Sequence, residues 1–145
     1  MPRGRLTLTH FRAVHRHLFQ DVYRWAGRYR TVRISKGGSM FCFPENIRPQ
    51  LQGLFAWLAG HNHLAGLDAD DFAELGAHLL SELNAVHAFR ESNGRAQMAF
   101  FAMLSDRAGH PLDLDRLEPE PFLAAMIAAF NGNEGDPSDQ IRSLV

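Results

Sequence analysis

Apolar residues near the N-terminus recur at steps of three and four positions, the spacing that gathers side chains on one face of an α-helix. The stripe comprises Leu8, Phe11, Val14, Leu18, Val22 and Trp25. Thr7 or Thr9 is suited to cap such a helix, and Gly27 is suited to end it. We therefore predict a first amphipathic helix over residues 7–25.

After this helix the period of the pattern changes to two. Residues 31–35 alternate apolar with polar, and a second apolar run, 40–43, follows the turn Lys36-Gly37-Gly38-Ser39. Two short runs joined by a glycine-containing turn are typical of a β-hairpin. We predict a hairpin across residues 31–43.

Helical spacing returns over residues 44–60 and 68–86. Pro44 suits the first turn of the earlier helix. Asp68 is placed to cap the later one, which should lead directly into His87.

A fourth predicted helix, 94–105, is apolar nearly all round, which indicates a buried central helix. A last helix is predicted over about 119–130, followed by a flexible tail over about 131–145 whose first residues are rich in Gly, Asn and Asp. The fold class expected is an all-α bundle around the central helix, carrying one β-hairpin. We expect a single domain, 1–145, with its core over about 8–130.

The composition of the chain agrees with a soluble domain. Of its 145 residues, 46% are hydrophobic and 21% are charged. It has no apolar run of about 18 residues and no signal-peptide pattern, so we expect no membrane association and a cytoplasmic location, with which secretion as an effector is compatible. The single cysteine, Cys42, cannot close an intrachain disulfide.

Charge is distributed unevenly along the chain. Residues 1–50 hold ten of the 15 Lys and Arg residues, against Asp21 and Glu45, although the net charge is only −1. A basic face can meet nucleic acid or an acidic protein, or can pair with the acidic remainder of the same fold. We expect no direct nucleic-acid binding and favour an acidic protein partner.

Candidate chemistry is concentrated in residues 87–95, His-Ala-Phe-Arg-Glu-Ser-Asn-Gly-Arg, between two predicted helices. The N-terminus of the second helix offers backbone N–H groups to phosphate oxygens, and Arg95 adds a permanent positive charge. Glu91 is an oxygen ligand of the kind that Mg²⁺ takes together with phosphates. His87 can accept a proton near neutral pH.

The same residues also have a structural interpretation. Asn93-Gly94 is a common turn signal. Ser92 or Asn93 is suited to cap a helix. From the chemistry alone both interpretations stay open.

The order and spacing of these residues resemble the signature of the Fic family, His-x-Phe-x-(Asp/Glu)-(Gly/Ala)-Asn-(Gly/Lys)-Arg-x-x-Arg. The matching residues are His87, Phe89, Glu91, Asn93, Gly94 and Arg95. Residues 30–43 also resemble the hairpin flap that Fic proteins hold beside the active site, and two motifs together are more specific than one. The chain is identified as similar to short bacterial toxin-like or effector-like members, over most of residues 8–130.

The resemblance implies a protein adenylyltransferase, which transfers AMP from ATP to a Tyr, Thr or Ser hydroxyl of a target protein. It implies His87 as the base, Glu91 as the ligand of Mg²⁺ and Phe89 as the anchor of the loop. The implied nucleotide-binding residues are Ser92, Asn93, Gly94 and Arg95. Gly94 favours AMP transfer, since family members with Lys there can bind ATP reversed and act as kinases.

The resemblance also implies how a target binds, by adding an extended segment to the edge of the flap. The corresponding residues are Thr31, Val32, Arg33, Ile34, Ser35, Met40 and Phe41. Similarity to short bacterial members suggests a topoisomerase subunit as the target, with a GTPase as the alternative.

Two positions depart from the family signature. Ser92 stands where Gly or Ala is usual, and we expect little effect. Met98 replaces the second Arg, which in the family holds the γ-phosphate of ATP; one lost charge-assisted contact costs about 1.5–3 kcal/mol. Reduced activity and tolerance of other nucleotides are therefore expected, and the alternative function is a weakened or degenerate Fic module that binds a partner through its flap.

The inhibitory motif of the family, (Ser/Thr)-x-x-x-Glu-(Gly/Asn), has no convincing match. Before Glu134-Gly135, the Ser/Thr position is occupied by Phe130. The similarity to toxin-like members then suggests control by a separate small antitoxin protein.

We expect no further metal site from the sequence. The pairs His15 with His17 and His61 with His63 stand two residues apart, which on a helix directs them to different faces. Residues 131–136 carry oxygen ligands but lack the spaced pattern of a Ca²⁺ loop.

Overall fold

A computed structural model describes residues 1–36, 39–116 and 135–145. The helices in these ranges are α1 (Leu8–Phe19), α2 (Pro44–Gly60), α3 (Ala69–Val86), α4 (Asn93–Ala108) and α5 (Gly135–Leu144), with 3₁₀ turns at Asn62–Leu64 and Leu114–Arg116. The predicted helical class is confirmed. The helix predicted over 119–130 lies outside the described residues.

Helix α1 starts as predicted but ends early. The Thr7 hydroxyl accepts a hydrogen bond from the His10 N–H and caps the helix. The helix ends at Phe19, so the extension to Trp25 is wrong. The apolar spacing continues to Trp25, but these last residues do not share a buried helical face. Val22 is 68% exposed, and Trp25 stacks on Tyr23 within the turns that follow the helix.

Helices α2 and α3 confirm the capping predictions. Pro44 occupies the first turn of α2. The Asp68 carboxylate accepts a hydrogen bond from the Asp71 N–H at 2.7 Å at the start of α3. Helix α3 leads directly into His87, which caps its C-terminus.

Helix α4 is the buried central helix that the sequence predicted. Phe100, Phe101 and Leu104 are fully buried, and the helix packs against both α1 and α3. At Gly76 of α3 an added Cβ would lie 2.7 Å from the ring of Phe101. This position therefore requires glycine for the two helices to approach so closely.

The prediction of a flexible tail is wrong for residues 135–144, which form α5 against α3. Ile141 and Leu144 are buried, and the Leu144 carbonyl accepts a hydrogen bond from the Asp113 N–H at 2.8 Å. The Gly- and Asn-rich residues before them suggested a loop, although Ile141 and Leu144 already stood at helical spacing. Residues 131–134 lie outside the described ranges.

Strand pairing around residue 40 is shorter than the predicted hairpin. Strands β1 (Ser35–Lys36) and β2 (Ser39–Met40) pair antiparallel, with Ser35 opposite Met40. One further bond runs from the Phe41 N–H to the Ile34 carbonyl at 3.2 Å.

Within the described ranges, none of the helices combines the length and the apolar character needed to cross a membrane.

Candidate active site

The loop between α3 and α4 is bracketed by two residues in the left-handed region, His87 with φ 51° and Ser92 with φ 64°. This conformation costs a side-chain-bearing residue roughly 1–2 kcal/mol. Surrounding contacts must hold both residues there, and such strain is common at functional sites.

Phe89 fixes the middle of this loop in the core. Its side chain has no exposed surface. Its ring stacks on the imidazole of His15, with centroids 3.9 Å apart, and meets the ring of Phe11 at 5.5 Å. The loop therefore packs against helix α1 through Phe89.

The side chain of Asn93 closes the loop from the other end. Its Oδ1 accepts the Phe89 N–H at 2.9 Å, and its Nδ2 donates to the Phe89 carbonyl at 2.7 Å. Asn93 is 3% exposed. The side chain of Asn93 therefore links the two ends of the Phe89 peptide to the first residue of α4.

The N-terminus of α4 has the properties of an anion site. The first backbone bond of the helix joins the Ala96 N–H to the Ser92 carbonyl at 3.2 Å, so the N–H groups of residues 93–95 have no acceptor within the helix. Ser92 makes no side-chain cap, and the first turn has no acidic residue. An added Cβ at Gly94 would meet no atom within 4 Å, and Arg95 is exposed.

His15 attaches the Glu91 backbone to α1. Its Nδ1 accepts the Gly27 N–H at 2.9 Å, so that nitrogen carries no proton, and its Nε2 donates to the Glu91 carbonyl at 3.0 Å. Burial lowers the pKa of His15, partly opposed by the bond to the Glu91 carbonyl. The arrangement requires a neutral imidazole of one tautomer.

The side chain of Glu91 is exposed, beside the start of α4. In the described part of the chain, no group of three or more His, Cys, Asp or Glu side chains could hold a metal ion. A single carboxylate is nevertheless enough for Mg²⁺ when phosphates and water supply the other ligands. The donor set therefore fits Mg²⁺ bound with a nucleotide.

The described residues of segment 30–43, the flap, are 30–36 and 39–43, and they contact His87 through Phe41 and Arg30. The ring of Phe41 stacks on the imidazole, and Phe41 is only 6% exposed. The other predicted target-binding residues are exposed or half-buried: Thr31, Val32, Arg33, Ile34, Ser35 and Met40. The Arg33 guanidinium lies 3.7 Å from the ring centroid of Phe43.

Sequence reasoning missed His15 and Arg30. His15 stands four residues after Phe11 on the apolar stripe of α1, and a polar side chain at such a position was the available signal. Arg30 is buried at the base of the flap. Nothing in its local sequence distinguishes it from the exposed arginines nearby.

The Fic/DOC family profile matches residues 5–105. The chain belongs to the Fic/DOC family. It is 46% identical over 146 residues to the probable protein adenylyltransferase y4lH of Sinorhizobium fredii, covering all of this chain and 76% of that protein. It is 39% identical over 142 residues to the protein adenylyltransferase VbhT of Bartonella schoenbuchensis, covering 98% of this chain but only 29% of VbhT.

A solved structure has the same fold. The structure of BepC, a VirB-translocated effector of Bartonella tribocorum with bound AMPPNP, superposes with a TM-score of 0.87 at 26% identity. The match covers 99% of this chain and 76% of that one. The BepC structure thus combines the fold of this chain with a bound AMPPNP.

Two positions distinguish this Fic chain from the signature it resembles. Ser92 adopts the left-handed conformation that glycine tolerates best, so a residue with a side chain is held there under strain. Met98, at the position of the second Arg, is half-buried and packs against the hydrophobic core. Its thioether carries no charge with which to bind a phosphate.

Proposed function

We propose that this chain is a protein adenylyltransferase that transfers AMP from ATP to a Tyr, Thr or Ser hydroxyl of a target protein. The observation that carries the proposal is the N-terminus of α4. Its N–H groups at residues 93–95 have no acceptor within the helix, and Gly94 leaves the approach open. The names of the relatives and the AMPPNP in BepC support the same activity.

ATP would bind with its phosphates at this helix end. Backbone N–H groups and the positive end of the helix dipole favour phosphate oxygens. The exposed Arg95 adds a charged donor. Glu91 would hold Mg²⁺, which supplies positive charge at the phosphates.

His87 would act as the base. It would take the proton of the target hydroxyl as the new bond forms between that oxygen and the α-phosphorus. The bond from the α-phosphorus to the bridging oxygen breaks, and pyrophosphate leaves. The left-handed cap at the end of α3 and the ring of Phe41 restrict where the imidazole lies.

The target would bind along the flap, which would act as a β-hairpin beside the active site. Val32, Met40 and Phe43 expose apolar surface to solvent on this segment, which an added extended segment would cover. A topoisomerase subunit is the favoured target and a GTPase the alternative. Cytoplasmic action and restraint by a small antitoxin belong to the same proposal.

Met98 favours a second candidate, the weakened Fic module that binds a partner through its flap. An apolar side chain replaces the cation that would hold the γ-phosphate. In the adenylyltransferase proposal the same residue predicts reduced activity and weaker selection among nucleotides. The presence of His87, Glu91, Asn93 and Arg95 together favours the enzyme, because a protein that only binds a partner does not need all four.

Label transfer distinguishes these functions. The purified chain is incubated with Mg²⁺ and ATP labelled at the α- or the γ-phosphate in bacterial lysate. We expect transfer of the α-label only, lost in His87→Ala and retained in His17→Ala, a change at an exposed histidine of α1. Transfer of the γ-label would indicate a kinase. If no label were transferred and AMPPNP did not bind, the function supported would be the weakened Fic module that binds a partner through its flap.

A further inference from the structure

Arg30 is a buried cation whose hydrogen bonds go to backbone carbonyls rather than to a carboxylate. It is 4% exposed. Its guanidinium donates to the carbonyls of His87 at 2.7 Å, Val86 at 3.0 Å, Val32 at 2.8 Å and Cys42 at 2.6 Å. Its own backbone N–H donates to the Ala88 carbonyl at 2.9 Å.

Two of these carbonyls lie at the C-terminus of α3. The last carbonyls of a helix accept no hydrogen bond from an N–H of the same helix, and they form the negative end of the helix dipole. Arg30 satisfies the carbonyls of Val86 and His87 and places a positive charge beside them. The peptide that follows the left-handed His87 is thereby held in place.

The other two carbonyls belong to the flap, one on each side of the β1–β2 pair. Val32 precedes β1 and Cys42 follows β2. The Cys42 thiol also donates to the Val86 carbonyl at 3.5 Å. Both arms of the flap are thus tied to the same end of α3 that carries His87.

Only the planar fork of an arginine matches this arrangement. Its Nε, Nη1 and Nη2 point in fixed, different directions, whereas a lysine ammonium is a single point with three donors. One side chain therefore sets the distance and the angle between the flap arms and the His87 backbone.

We propose that Arg30 is a positioning residue that holds the flap at a set distance and angle from His87. The hydroxyl of a target bound to the flap would then lie within reach of the base. This role rests on the proposed adenylyl transfer. Arg30 has no hydrogen bond to α4, where the nucleotide would bind. Loss of Arg30 should therefore impair transfer while sparing nucleotide affinity.

The test compares Arg30→Met, Arg30→Lys and the control Arg107→Met. Arg107 also bonds a distant backbone carbonyl, that of Gly4, but at the opposite end of α4 from the site. Three quantities are measured on folded protein: the affinity for AMPPNP with Mg²⁺, the rate of α-label transfer in lysate at saturating ATP, and the NMR signals of the His87 ring. The stacked Phe41 ring shifts those signals, so they report the position of His87 relative to the flap.

For Arg30→Met we expect AMPPNP affinity within about twofold of wild type, a transfer rate reduced about tenfold or more, and His87 signals moved toward their unstacked values; tenfold corresponds to about 1.4 kcal/mol. Arg30→Lys should recover part of the rate and part of the shift, and it carries the test if Arg30→Met does not fold. Arg107→Met should change neither.

Unchanged His87 signals in both Arg30 variants would overturn the proposal. So would a parallel loss of AMPPNP affinity and transfer, because a general structural defect predicts that pattern. The His87 signals need neither target nor nucleotide. They test Arg30 even if the wild-type chain transfers no label, a result that would count against the proposed function instead.

Discussion

The imidazole of His87 lies parallel to the ring of Phe41, with centroids 3.8 Å apart and planes inclined by 8°. One residue ends α3 and the other belongs to the flap, so the contact joins the proposed base to the proposed target-binding segment. Stacked aromatic pairs contribute about 0.5–1.5 kcal/mol beyond their buried area. This contact limits the tilt of the imidazole.

We predict that Phe41→Leu lowers the rate of α-label transfer about tenfold at saturating ATP, because the imidazole loses the ring stacked on it. A tenfold loss corresponds to a rise of about 1.4 kcal/mol in the activation free energy. AMPPNP affinity should stay unchanged. Trp57→Leu is the control, since it removes a ring of α2 that also lies beside an imidazole, that of His61, with centroids 4.7 Å apart, but outside the flap and the loop between α3 and α4. An equal loss of rate in both variants would contradict a specific role for the Phe41 stack.

Gly94→Ala should separate folding from nucleotide binding. An added Cβ meets no protein atom within 4 Å, so the free energy of unfolding should stay level or rise by up to about 1 kcal/mol. The same methyl group would occupy the approach of a phosphate, and we expect AMPPNP affinity to fall about tenfold. The matched control is Gly53→Ala on α2, which is equally open; a loss of affinity there too would exclude the steric explanation.

Asn93→Ala should destabilise the fold by about 1–3 kcal/mol, because it leaves the buried N–H and carbonyl of Phe89 without their partners. Urea unfolding measures this loss. The same substitution at the exposed Asn46 should change stability by less than about 0.5 kcal/mol. If the two variants had equal unfolding midpoints, the Asn93 bridge would not hold the loop closed.

Acid should weaken the fold through His15. In the folded chain, burial lowers the pKa of His15 below its ordinary value of 6.5. As the pH falls, the unfolded state therefore binds a proton at His15 before the native state does. Its contribution to stability is full above about pH 6.5 and is lost as the pH falls below that value. A single group contributes at most about 1.4 kcal/mol per pH unit.

The free energy of unfolding, measured with urea between about pH 7 and pH 5, should therefore fall less steeply in His15→Gln than in wild type. His17→Gln removes an exposed histidine of the same helix and should leave the slope unaltered. Equal slopes in all three proteins would show that His15 does not titrate in this range.

Met98→Arg should raise the selectivity of the chain for ATP over ADP as the donor of AMP. A restored charge-assisted contact to the γ-phosphate is worth about 1.5–3 kcal/mol, or roughly ten- to a hundredfold in affinity. Met98→Leu keeps the apolar contact with the core and should leave the donor preference as in wild type. Strict ATP dependence of the wild-type chain would argue against the proposed tolerance.

The sequence by itself determined the parts of this protein that depend on neighbours along the chain. The caps at Thr7 and Asp68, the start of α2 at Pro44 and the all-round apolar pattern of α4 were predicted because capping and periodicity are local. The loop residues 87–95 and their family likeness were also apparent, since their order and spacing stand in one short segment.

Tertiary structure decided what those residues contact. His15 and Glu91 are 76 positions apart, and Arg30 and His87 are 57 apart. No local pattern distinguishes a buried arginine that binds carbonyls from an exposed one. The same limit explains the early end of α1 and the helix found in the predicted tail. Apolar spacing shows which residues could share one face of a helix. It does not show whether another element of the fold covers that face.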